Sequence, residues 1–503
     1  MNELRIGWAA TLFLFLVASA ATLPAAERGP NVILFIGDDI SWNDFGCYGN
    51  QAARTPNIDR LASRGLVFTQ AYLTASSCSP SRSSIITGRY PHNNGKAAEL
   101  HLPIAANLPW FPELLREAGY YTALSGKHHM SVRSERGQPA RPQAFDHVDP
   151  GRGPGNGGGH ANWVQVVRER PKDKPFFFWF ASYDAHRGWD ADNQWDAQRY
   201  GPKHRPEDVI VPPFLIDDAA TRSDLASYYN EVTRYDHYIG LVVDELKAQG
   251  ELENTLILVM ADNGRPFPRA KTRLHDSGMK TALVAHWPRG IRSAGAECDS
   301  LVSAIDIAPT ILQLAGANTP KTFQGESMSP IFSDPTAAIR RFAYSEHNWH
   351  DYEALGRCVR SADGFLYIRN FRPQQAWQGP ADSVRSPSHR SLQRMRDEGK
   401  LAPAQTDVFL TPRAEVELYR TADDADQLHS LADDPAYDEI EAHLAETLAA
   451  WRDATGDSAP ERISADSFDR ETGNSLRVKE NEYRGTTPGE DRSAEKINAR
   501  GPH

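Results

Sequence analysis

The chain has 503 residues, of which 40% are hydrophobic and 24% charged, and its formal net charge is −11 at pH 7. A chain of this length can form more than one hydrophobic core. The negative charge argues against general nucleic-acid binding through a basic surface, although a local cationic pocket could still bind an anion. Four cysteines in this length exclude a scaffold built on disulfides.

Residues 1–25 have the pattern of a secretory signal peptide. Arg5 precedes an apolar core at 6–17, and the small residues at 18–20 offer a cleavage site. This apolar core is shorter than a typical membrane span, which needs about 20 residues. We therefore expect a secreted or periplasmic protein with no stable membrane span after cleavage. An uncleaved membrane anchor is the alternative.

The next three hundred or so residues alternate between two patterns. Continuous apolar runs predict buried strands at 31–36, 120–124, 175–180, 255–260 and 282–287. Periodic apolar positions predict helices between Thr55 and Gly65, at 112–118, at 223–249 and within 305–314. This alternation predicts an α/β fold with a large, mostly parallel sheet flanked by helices. Ligands of such sheets bind beyond the carboxyl ends of the strands, so residues that follow strands should converge.

The character of the sequence changes after about residue 335. Short strand-like pieces precede a predicted amphipathic helix at 438–451, and the chain is polar from about residue 459. We expect an N-terminal domain at 26–335, a smaller C-terminal α+β subdomain at 336–458 and an extended or mobile polar tail at 459–503.

Two predicted strand ends carry oxygen-rich side chains. Asp38 and Asp39 follow the first strand, and Asp262 and Asn263 follow another. Asp and Asn oxygens suit a hard cation such as Ca²⁺ or Mg²⁺, and no His/Cys cluster points to zinc. Each pair alone is more often a turn, but adjacent carboxylates become favourable when a cation neutralises them.

The most informative segment is Ser-Cys-Ser-Pro-Ser-Arg at 77–82, followed by Thr-Gly-Arg at 87–89. Ser79 is predicted as the N-cap of a helix, Pro80 as its first residue and Gly88 as the residue after its end. Residue 78 would then precede a helix N-terminus, which favours an anion. The alternative is an ordinary capped helix with a buried cysteine.

A cysteine followed by x-Pro-Ser-Arg and then Thr-Gly resembles the signature of the type I sulfatases. In that family a modifying enzyme oxidises the cysteine to formylglycine, an aldehyde. The resemblance therefore implies formylglycine at Cys78 and a formylglycine-generating or other sulfatase-maturating enzyme as a partner. It also implies the alkaline-phosphatase-like sulfatase fold for the catalytic domain at 26–335. Three other cysteines would remain, so we expect at least one free thiol among Cys47, Cys298 and Cys358.

Within the family the chain is most similar to the heparan N-sulfatases (sulfamidases). The likeness rests on residues 76–82, Gly-Lys-His-His at 126–129, His-Arg at 186–187, the stretch from Val-Pro-Pro-Phe at 211–214 to Gly250, and residues 262–268. The chain differs at Lys271, where the sulfamidases have arginine, at 273–277 and near 347–350. Those segments are expected to form pocket walls, so the substrate is left open.

The resemblance implies five ligands for Ca²⁺, or alternatively Mg²⁺: Asp38, Asp39, Cys78, Asp262 and Asn263. It implies six residues at the reaction centre: Cys78, Arg82, Lys127, His129, His186 and Lys271. In the implied mechanism a hydroxyl of hydrated formylglycine, polarised by the metal and Arg82, attacks sulfur. Lys127, His186 and Lys271 hold the sulfate oxygens. His186 or Lys271 is the candidate acid for the leaving atom, and His129 is the candidate base.

The expected substrate is a sulfated saccharide, with N-sulfoglucosamine as the leading specific prediction. The alternatives are an O-sulfate on a glycosaminoglycan or algal polysaccharide, a phosphate ester, and non-catalytic binding of a sulfated glycan. Four residues of the smaller subdomain are candidates for contacting the sugar: His347, Asn348, His350 and Glu353.

Overall fold

The computed structural model describes residues 29–130, 144–153 and 156–503, so the predicted signal peptide lies outside the described residues. An eight-stranded sheet forms the centre of the N-terminal part, in the order β5-β4-β6-β1-β7-β8-β2-β9. Its strands are β1 (Asn31–Gly37), β2 (Leu66–Phe68), β4 (Tyr121–Gly126), β5 (His147–Asp149), β6 (Phe176–Ala181), β7 (Thr255–Ala261), β8 (Leu283–His286) and β9 (Ala296–Cys298). β3 (Ala71–Tyr72) and β10 (Val302–Ser303) pair separately.

Helices cover both faces of this sheet. They are α1 (Pro56–Ala62), α2 (Cys78–Thr87), α3 (Phe111–Glu117), α4 (Trp163–Glu169), α5 (Ala197–Tyr200), α6 (Ala219–Ala248), α7 (Asp276–Met279), α8 (Ile307–Leu314) and α9 (Ser329–Ser333). Along β1, Val32 and Leu34 face a core shared with α2, α3 and α8, whereas Ile33 and Phe35 face a core shared with α1, α4 and α6. This alternation explains why the whole strand is apolar, because both of its faces are buried.

The central strands of the sheet run in one direction. β1 pairs in parallel with β6 and β7, and β4 pairs in parallel with β6 and β5. β8 is antiparallel to both β7 and β2. The predicted α/β fold with a large, mostly parallel sheet is confirmed, and the carboxyl ends of β4, β6, β1 and β7 lie side by side.

The C-terminal part contains a smaller antiparallel sheet in the order β11-β12-β13-β14. Its strands are β11 (Phe342–His347), β12 (Gly356–Ser361), β13 (Phe365–Asn370) and β14 (Val416–Arg420). The helices of this part are α10 (Ala381–Val384), α11 (Pro387–Asp397), α12 (Asp438–Thr455) and α13 (Glu480–Tyr483). Leu444, Leu448 and Trp451 of α12 pack against this sheet. The exact domain boundaries stay a prediction.

The segment 459–503, which the sequence predicted as an extended or mobile polar tail, packs against the rest of the protein. Its few apolar side chains include Phe468 and Ala494, which are buried. Arg89 donates to the carbonyl oxygen of Ile497 at 2.8 Å, and Asn93 donates to that of Ala494 at 2.7 Å. Backbone carbonyls make these contacts, so the polar composition of the segment gave no sign of them.

The cysteines and the membrane-span prediction complete the description of the fold. The four cysteines all lie in described residues and each is unpaired, in agreement with the expected free thiol. Among the helices of the described ranges, none is both long enough and apolar enough to cross a membrane.

Candidate active site

The two acidic strand ends meet at the carboxyl edge of the large sheet. Asp38 and Asp39 follow β1, Asp262 and Asn263 follow β7, and all four are buried. Asn263 Nδ2 donates to Asp39 Oδ1 at 2.6 Å, and the backbone N–H of Asp39 donates to Asp262 Oδ1 at 3.2 Å. Asp39 has φ of 60°, a left-handed conformation that Asp tolerates better than most residues. The predicted convergence of these side chains is therefore present.

Cys78 lies at this edge as the first residue of α2, with an exposed fraction of 2%. Its Sγ is 3.8 Å from Asp39 Oδ1. Gly88 ends the helix with φ of 61°, as predicted, but the N-cap is Ser77 rather than Ser79. The predicted cap was wrong because the Ser79 hydroxyl accepts a hydrogen bond from the backbone N–H of His101 at 2.8 Å instead. Cys78 is thus the first helical residue, not the residue before the helix.

Burial raises the pKa of the Cys78 thiol well above its ordinary value, and the nearby carboxylates Asp38 and Asp39 act in the same direction. Lys127 and Lys271 oppose this effect without overcoming it. The unmodified side chain is therefore a neutral thiol at physiological pH. Since the thiolate is the nucleophilic form of cysteine, this residue as encoded is a poor nucleophile.

Three cationic side chains pair with the carboxylates. Arg82, one turn after Cys78, donates from Nε to Asp262 Oδ2 at 2.7 Å and approaches Asp38 Oδ1 at 3.5 Å. Lys271 Nζ donates to Asp39 Oδ2 at 2.7 Å, and Lys127 donates to Asp38 Oδ2. Because the positive charges come from three separate elements, the burial of the carboxylates depends on the complete fold.

Lys127 owes its position to the glycine before it. Gly126 has φ of 106°, and a Cβ at this residue would lie 1.8 Å from the carbonyl oxygen of Ala181. Only glycine allows β4 to approach β6 so closely at this point. The backbone N–H of Lys127 then donates to that same carbonyl at 2.8 Å, and the side chain extends to Asp38.

One observation indicates that these residues suit a metal ion. Asn263 Oδ1 is buried and has no hydrogen-bond partner. A buried carbonyl oxygen without a partner is costly unless a ligand satisfies it. In addition, a carboxylate oxygen of Asp38, a carboxylate oxygen of Asp39 and the Sγ of Cys78 all lie within 4.8 Å of one another. A set dominated by carboxylate and amide oxygens fits a hard cation.

Two histidines flank this centre. His186 is the more accessible, with a side chain that is 40% exposed and a Nε2 that is 4.0 Å from Asp39 Oδ2. His129 has φ of 44°, and its ring centroid is 4.8 Å from that of His101. Burial, together with the Lys127 charge, lowers the pKa of His129 far below its ordinary value, so its imidazole is neutral. His129 Nδ1 is buried without a hydrogen-bond partner.

A cavity of about 680 Å³ opens over the carboxyl edge of the sheet. Asp38, Lys127, His129 and His186 contribute to its lining, as do Arg152, Tyr183, Asp184, Arg187, Trp189 and Asp190. The Arg152 guanidinium lies 4.1 Å from the centroid of the Tyr183 ring. Cavities of this volume bind ligands of the size of one or a few sugar units.

Of the four candidates for contacting the sugar, three lie near the start of the nucleophile helix: His350 places Nδ1 2.7 Å from Ser77 Oγ, and His347 and Asn348 line a small cavity together with Ser77 and Pro80. Asn348 is buried and donates to Glu346 Oε2 at 2.9 Å, and His347 pairs with the hydroxyl of Tyr352 at 3.1 Å. Glu353 lies 3.5 Å from Arg372. None of the four is among the described residues that line the 680 Å³ cavity.

The structure adds a residue that the sequence analysis did not identify. Asp382 of α10 places Oδ2 3.8 Å from Lys271 Nζ and 3.8 Å from His186 Nε2. It does not follow a predicted strand and belongs to none of the motifs found in the sequence. Burial opposes its ionisation, but the Lys271 and His186 charges hold the pKa of Asp382 below its ordinary value.

Comparisons with known proteins agree with this geometry. The family model described as Sulfatase matches residues 30–317, and that described as N-sulphoglucosamine sulphohydrolase, C-terminal, matches residues 269–377. The chain is 28% identical over 492 residues to an ulvan-active sulfatase of Formosa agariphila, covering 88% of this chain and 77% of that protein. It is 29% identical over 469 residues to the N-sulphoglucosamine sulphohydrolase of Homo sapiens, covering 86% and 91%.

Solved structures show the same architecture. One of them, described as a complex with its substrate D-glucosamine-2-N,6-O-disulfate, superposes with a TM-score of 0.62 at 20% identity. The superposition covers 85% of this chain and 98% of that chain. At this level of identity the likeness establishes a shared fold.

Proposed function

The chain belongs to the sulfatase family, and from this premise we propose that it is an exported enzyme that hydrolyses a sulfate ester or sulfamate of a sulfated saccharide. The observation that carries the proposal is the arrangement at the sheet edge. Cys78 begins α2 beside Asp39, while Lys127, Lys271 and His186 surround the same carboxylates. These cationic groups would bind a sulfate group above residue 78.

The nucleophile is formylglycine formed from Cys78. The buried thiol is neutral and therefore unreactive as encoded, which supports a role that depends on modification. In the oxidised and hydrated state this position would supply the hydroxyl that attacks sulfur. Since Cys78 is almost fully buried, a maturating enzyme would reach it before the chain has folded completely.

The residues that would hold the cation, Ca²⁺ or alternatively Mg²⁺, are Asp38, Asp39, Asp262, Asn263 and residue 78. The unpartnered Asn263 Oδ1 supports this assignment. When bound, a divalent cation would neutralise the clustered carboxylates and polarise the nucleophile and a sulfate oxygen.

The remaining roles belong to side chains of the chain itself. Arg82 fixes Asp262 and Asp38 beneath the nucleophile. Lys127, Lys271 and His186 bind the sulfate oxygens, and His186 or Lys271 gives a proton to the leaving nitrogen or oxygen. The neutral imidazole of His129 can accept a proton, although its lowered pKa makes it a weak base.

The leading substrate is N-sulfoglucosamine. The match of residues 269–377 to the C-terminal model of N-sulphoglucosamine sulphohydrolase supports it. An O-sulfated glycosaminoglycan or algal polysaccharide is the second candidate, and the similarity to an ulvan-active sulfatase favours it.

A desulfation screen tests the proposal. Purified protein is incubated with defined saccharides that each carry one N-sulfate or one O-sulfate, and released sulfate is measured by ion chromatography. We expect sulfate release from at least one member, and no release by Cys78→Ala. Full activity of Cys78→Ala would contradict the formylglycine mechanism. Tight binding of the panel without sulfate release, by protein that keeps its Cys78 thiol, would instead identify a sulfated-glycan binding protein.

A further inference from the structure

Asp382 places a negative charge beside the groups that are proposed to bind sulfate. Its Oδ2 is 3.8 Å from both Lys271 Nζ and His186 Nε2. Lys271 is buried, whereas the side chains of Asp382 and His186 are 21% and 40% exposed. His186 also contributes to the lining of the 680 Å³ cavity, and Asp382 is partly exposed beside it.

The orientation of the Asp382 carboxylate is fixed by backbone contacts. The N–H of Ser383 donates to Oδ1 at 2.7 Å, which leaves Oδ2 facing Lys271 and His186. The first residue of α10, Ala381, donates its N–H to Asp351 Oδ2 at 3.0 Å. The short helix is thus held at the site, and Oδ2 is the acceptor that it presents beside Lys271 and His186.

A metal ion at this second cluster is the first explanation to consider. Ligand atoms of Asp39, His186 and Asp382 lie within 4.8 Å of one another. However, Lys271 Nζ is 2.7 Å from Asp39 Oδ2 and 3.8 Å from Asp382 Oδ2. Its positive charge offsets part of the charge of these two carboxylates and would repel a further cation placed beside it. The cluster is therefore better suited to a substrate than to a second metal.

A carboxylate at this place does not pair with a sulfate group, so any contact of Asp382 with the substrate would be with a different group. An ionised carboxylate has no hydrogen to donate and can only accept hydrogen bonds. We propose that Asp382 determines specificity by accepting a hydrogen bond from a donor directly beside the sulfur-bearing position. Two sources share this chemistry: the N–H of a sulfamate and a hydroxyl on the neighbouring sugar carbon. This inference rests on the proposed sulfatase function.

Discrimination by Asp382 follows from the cost of an unpaired acceptor. A site built to hydrogen-bond a substrate group rejects an analogue that lacks the group, because the protein partner is left unsatisfied. Asp382 is partly exposed, and water can satisfy it in part. We therefore expect a selectivity of about 10- to 100-fold, well below that of a fully buried contact.

Four methyl glycosides test the inference. They combine N-sulfate or O-sulfate at carbon 2 of glucose with a hydroxyl or a hydrogen at carbon 3. The informative variant is Asp382→Asn. Since the Ser383 N–H requires an oxygen at the position of Oδ1, the amide NH₂ should replace Oδ2 and turn an acceptor into a donor. The matched control is Asp397→Asn, an exposed residue at the end of α11.

We measure kcat/KM for sulfate release, and Kd by calorimetry in the Cys78→Ala background, where binding is separated from turnover. If the sulfamate N–H is the donor, wild type prefers both N-sulfates at least tenfold and Asp382→Asn abolishes this preference. If the hydroxyl is the donor, wild type prefers both ligands with a hydroxyl at carbon 3 over both ligands with a hydrogen there, and Asp382→Asn abolishes that preference. Equal effects of Asp382→Asn on all four ligands, or no effect, would overturn the inference.

The same measurements separate this inference from the proposed function. Binding of the ligands with the expected selectivity but without sulfate release by the wild type would contradict the sulfatase proposal and leave the role of Asp382 supported. Sulfate release with no dependence on Asp382 would support the sulfatase proposal and contradict the role of Asp382. Failure of all four ligands to bind would overturn the inference about Asp382, whereas the proposed function is then decided by the desulfation screen. Asp397→Asn should match wild type in every measurement.

Discussion

Arg82 joins the helix that carries Cys78 to the end of strand β7, because its Nε donates to Asp262 Oδ2 at 2.7 Å with both side chains fully buried. The same guanidinium lies 3.5 Å from Asp38 and donates to the carbonyl oxygen of Lys127 at 3.1 Å. One side chain thus ties together the ends of three strands and the nucleophile helix. The same contacts of Arg82 therefore stabilise the fold and hold the site residues in place.

Replacing Arg82 should therefore damage stability and activity together. Arg82→Gln leaves the buried Asp262 carboxylate without its cation, which costs about 3–5 kcal/mol for a buried pair, while Asp38 keeps Lys127 as its partner. We expect this loss in the free energy of unfolding, measured by urea denaturation, and no detectable sulfate release. Arg396→Gln, which removes a partly exposed partner of Glu471, should change the free energy by less than about 1 kcal/mol. Equal stability of the two variants would contradict the assignment.

The chemical state of Cys78 is open to direct measurement. We expect peptide mass spectrometry of active enzyme to show that residue 78 has lost its sulfur and reacts with carbonyl reagents. Cys78→Ser should be folded but inactive, because its single hydroxyl cannot reproduce a hydrated aldehyde. Cys298, which is also buried, is the internal control and should keep its thiol. Active enzyme with an intact Cys78 thiol would contradict the mechanism.

Calcium should stabilise the protein through the buried oxygens at the sheet edge. A ligand that binds only the folded state stabilises it by about 2.7 kcal/mol at 100 times its Kd. We expect Ca²⁺ to raise the thermal midpoint of metal-stripped protein, and Asn263→Ala to weaken this shift because it removes the unpartnered Oδ1. Asn193→Ala, an exposed substitution, should leave the shift unchanged. No response of the wild type to Ca²⁺ or Mg²⁺ would contradict the proposed metal site.

Much of this site could be predicted from the sequence because strand ends are easy to recognise. A continuous apolar run followed by Asp38-Asp39 or Asp262-Asn263 identifies both the buried strand and the edge at which polar groups collect. Asp382 could not be found in this way, since it reaches the site from a short helix after the main sheet. Its approach depends on how the C-terminal part packs, which no local pattern records.

The N-cap of α2 shows a second limit of sequence reasoning. Ser77 and Ser79 both suit an N-cap by residue type. The structure uses Ser79 Oγ to accept from His101 and places Ser77 Oγ beside His350. Tertiary contacts therefore decided between two equivalent local choices.

The pH dependence of stability should contain a contribution from Glu417. Burial opposes its ionisation, but the hydrogen bond from His275 and the charge of Arg413 lower the pKa of Glu417 to about 2. Because the pKa of Glu417 is lower in the folded state, its ionised form stabilises the fold at pH values above its unfolded-state pKa of about 4.3. This stabilisation is lost as the pH falls from there toward the folded-state pKa. A shift of this size is worth about 3 kcal/mol.

Glu417→Gln should therefore be less stable than wild type at pH 7 by up to about 3 kcal/mol, with a difference that narrows as the pH falls from about 4.3 to about 2. Urea denaturation at a series of pH values measures it. Glu415→Gln, two residues away and exposed beside Arg369, is the matched control and should show no such pH dependence. A difference that widens on acidification would mean that the sign is wrong.

Arg234 of α6 should position the loop that carries His186. It donates to both carboxylate oxygens of Asp184, at 2.8 and 2.7 Å, and to Glu231 at 2.9 Å. Asp184 is also 3.0 Å from His160 Nε2, and every one of these groups is buried. Asp184 begins the loop that leads to His186, and Arg234 fixes its carboxylate with two parallel hydrogen bonds.

Arg234→Met should cost about 3–5 kcal/mol, because it leaves the Asp184 carboxylate buried without its cation. Arg234→Lys keeps the charge but loses the two-pronged contact, so we expect a folded enzyme whose kcat/KM for sulfate release falls about 10- to 100-fold through displacement of His186. The control Arg168→Met removes an exposed ion pair with Glu245 of α6 and should match wild type in stability and in kcat/KM. An Arg234→Lys enzyme with unchanged kcat/KM would show that the loop holds His186 in place without this contact.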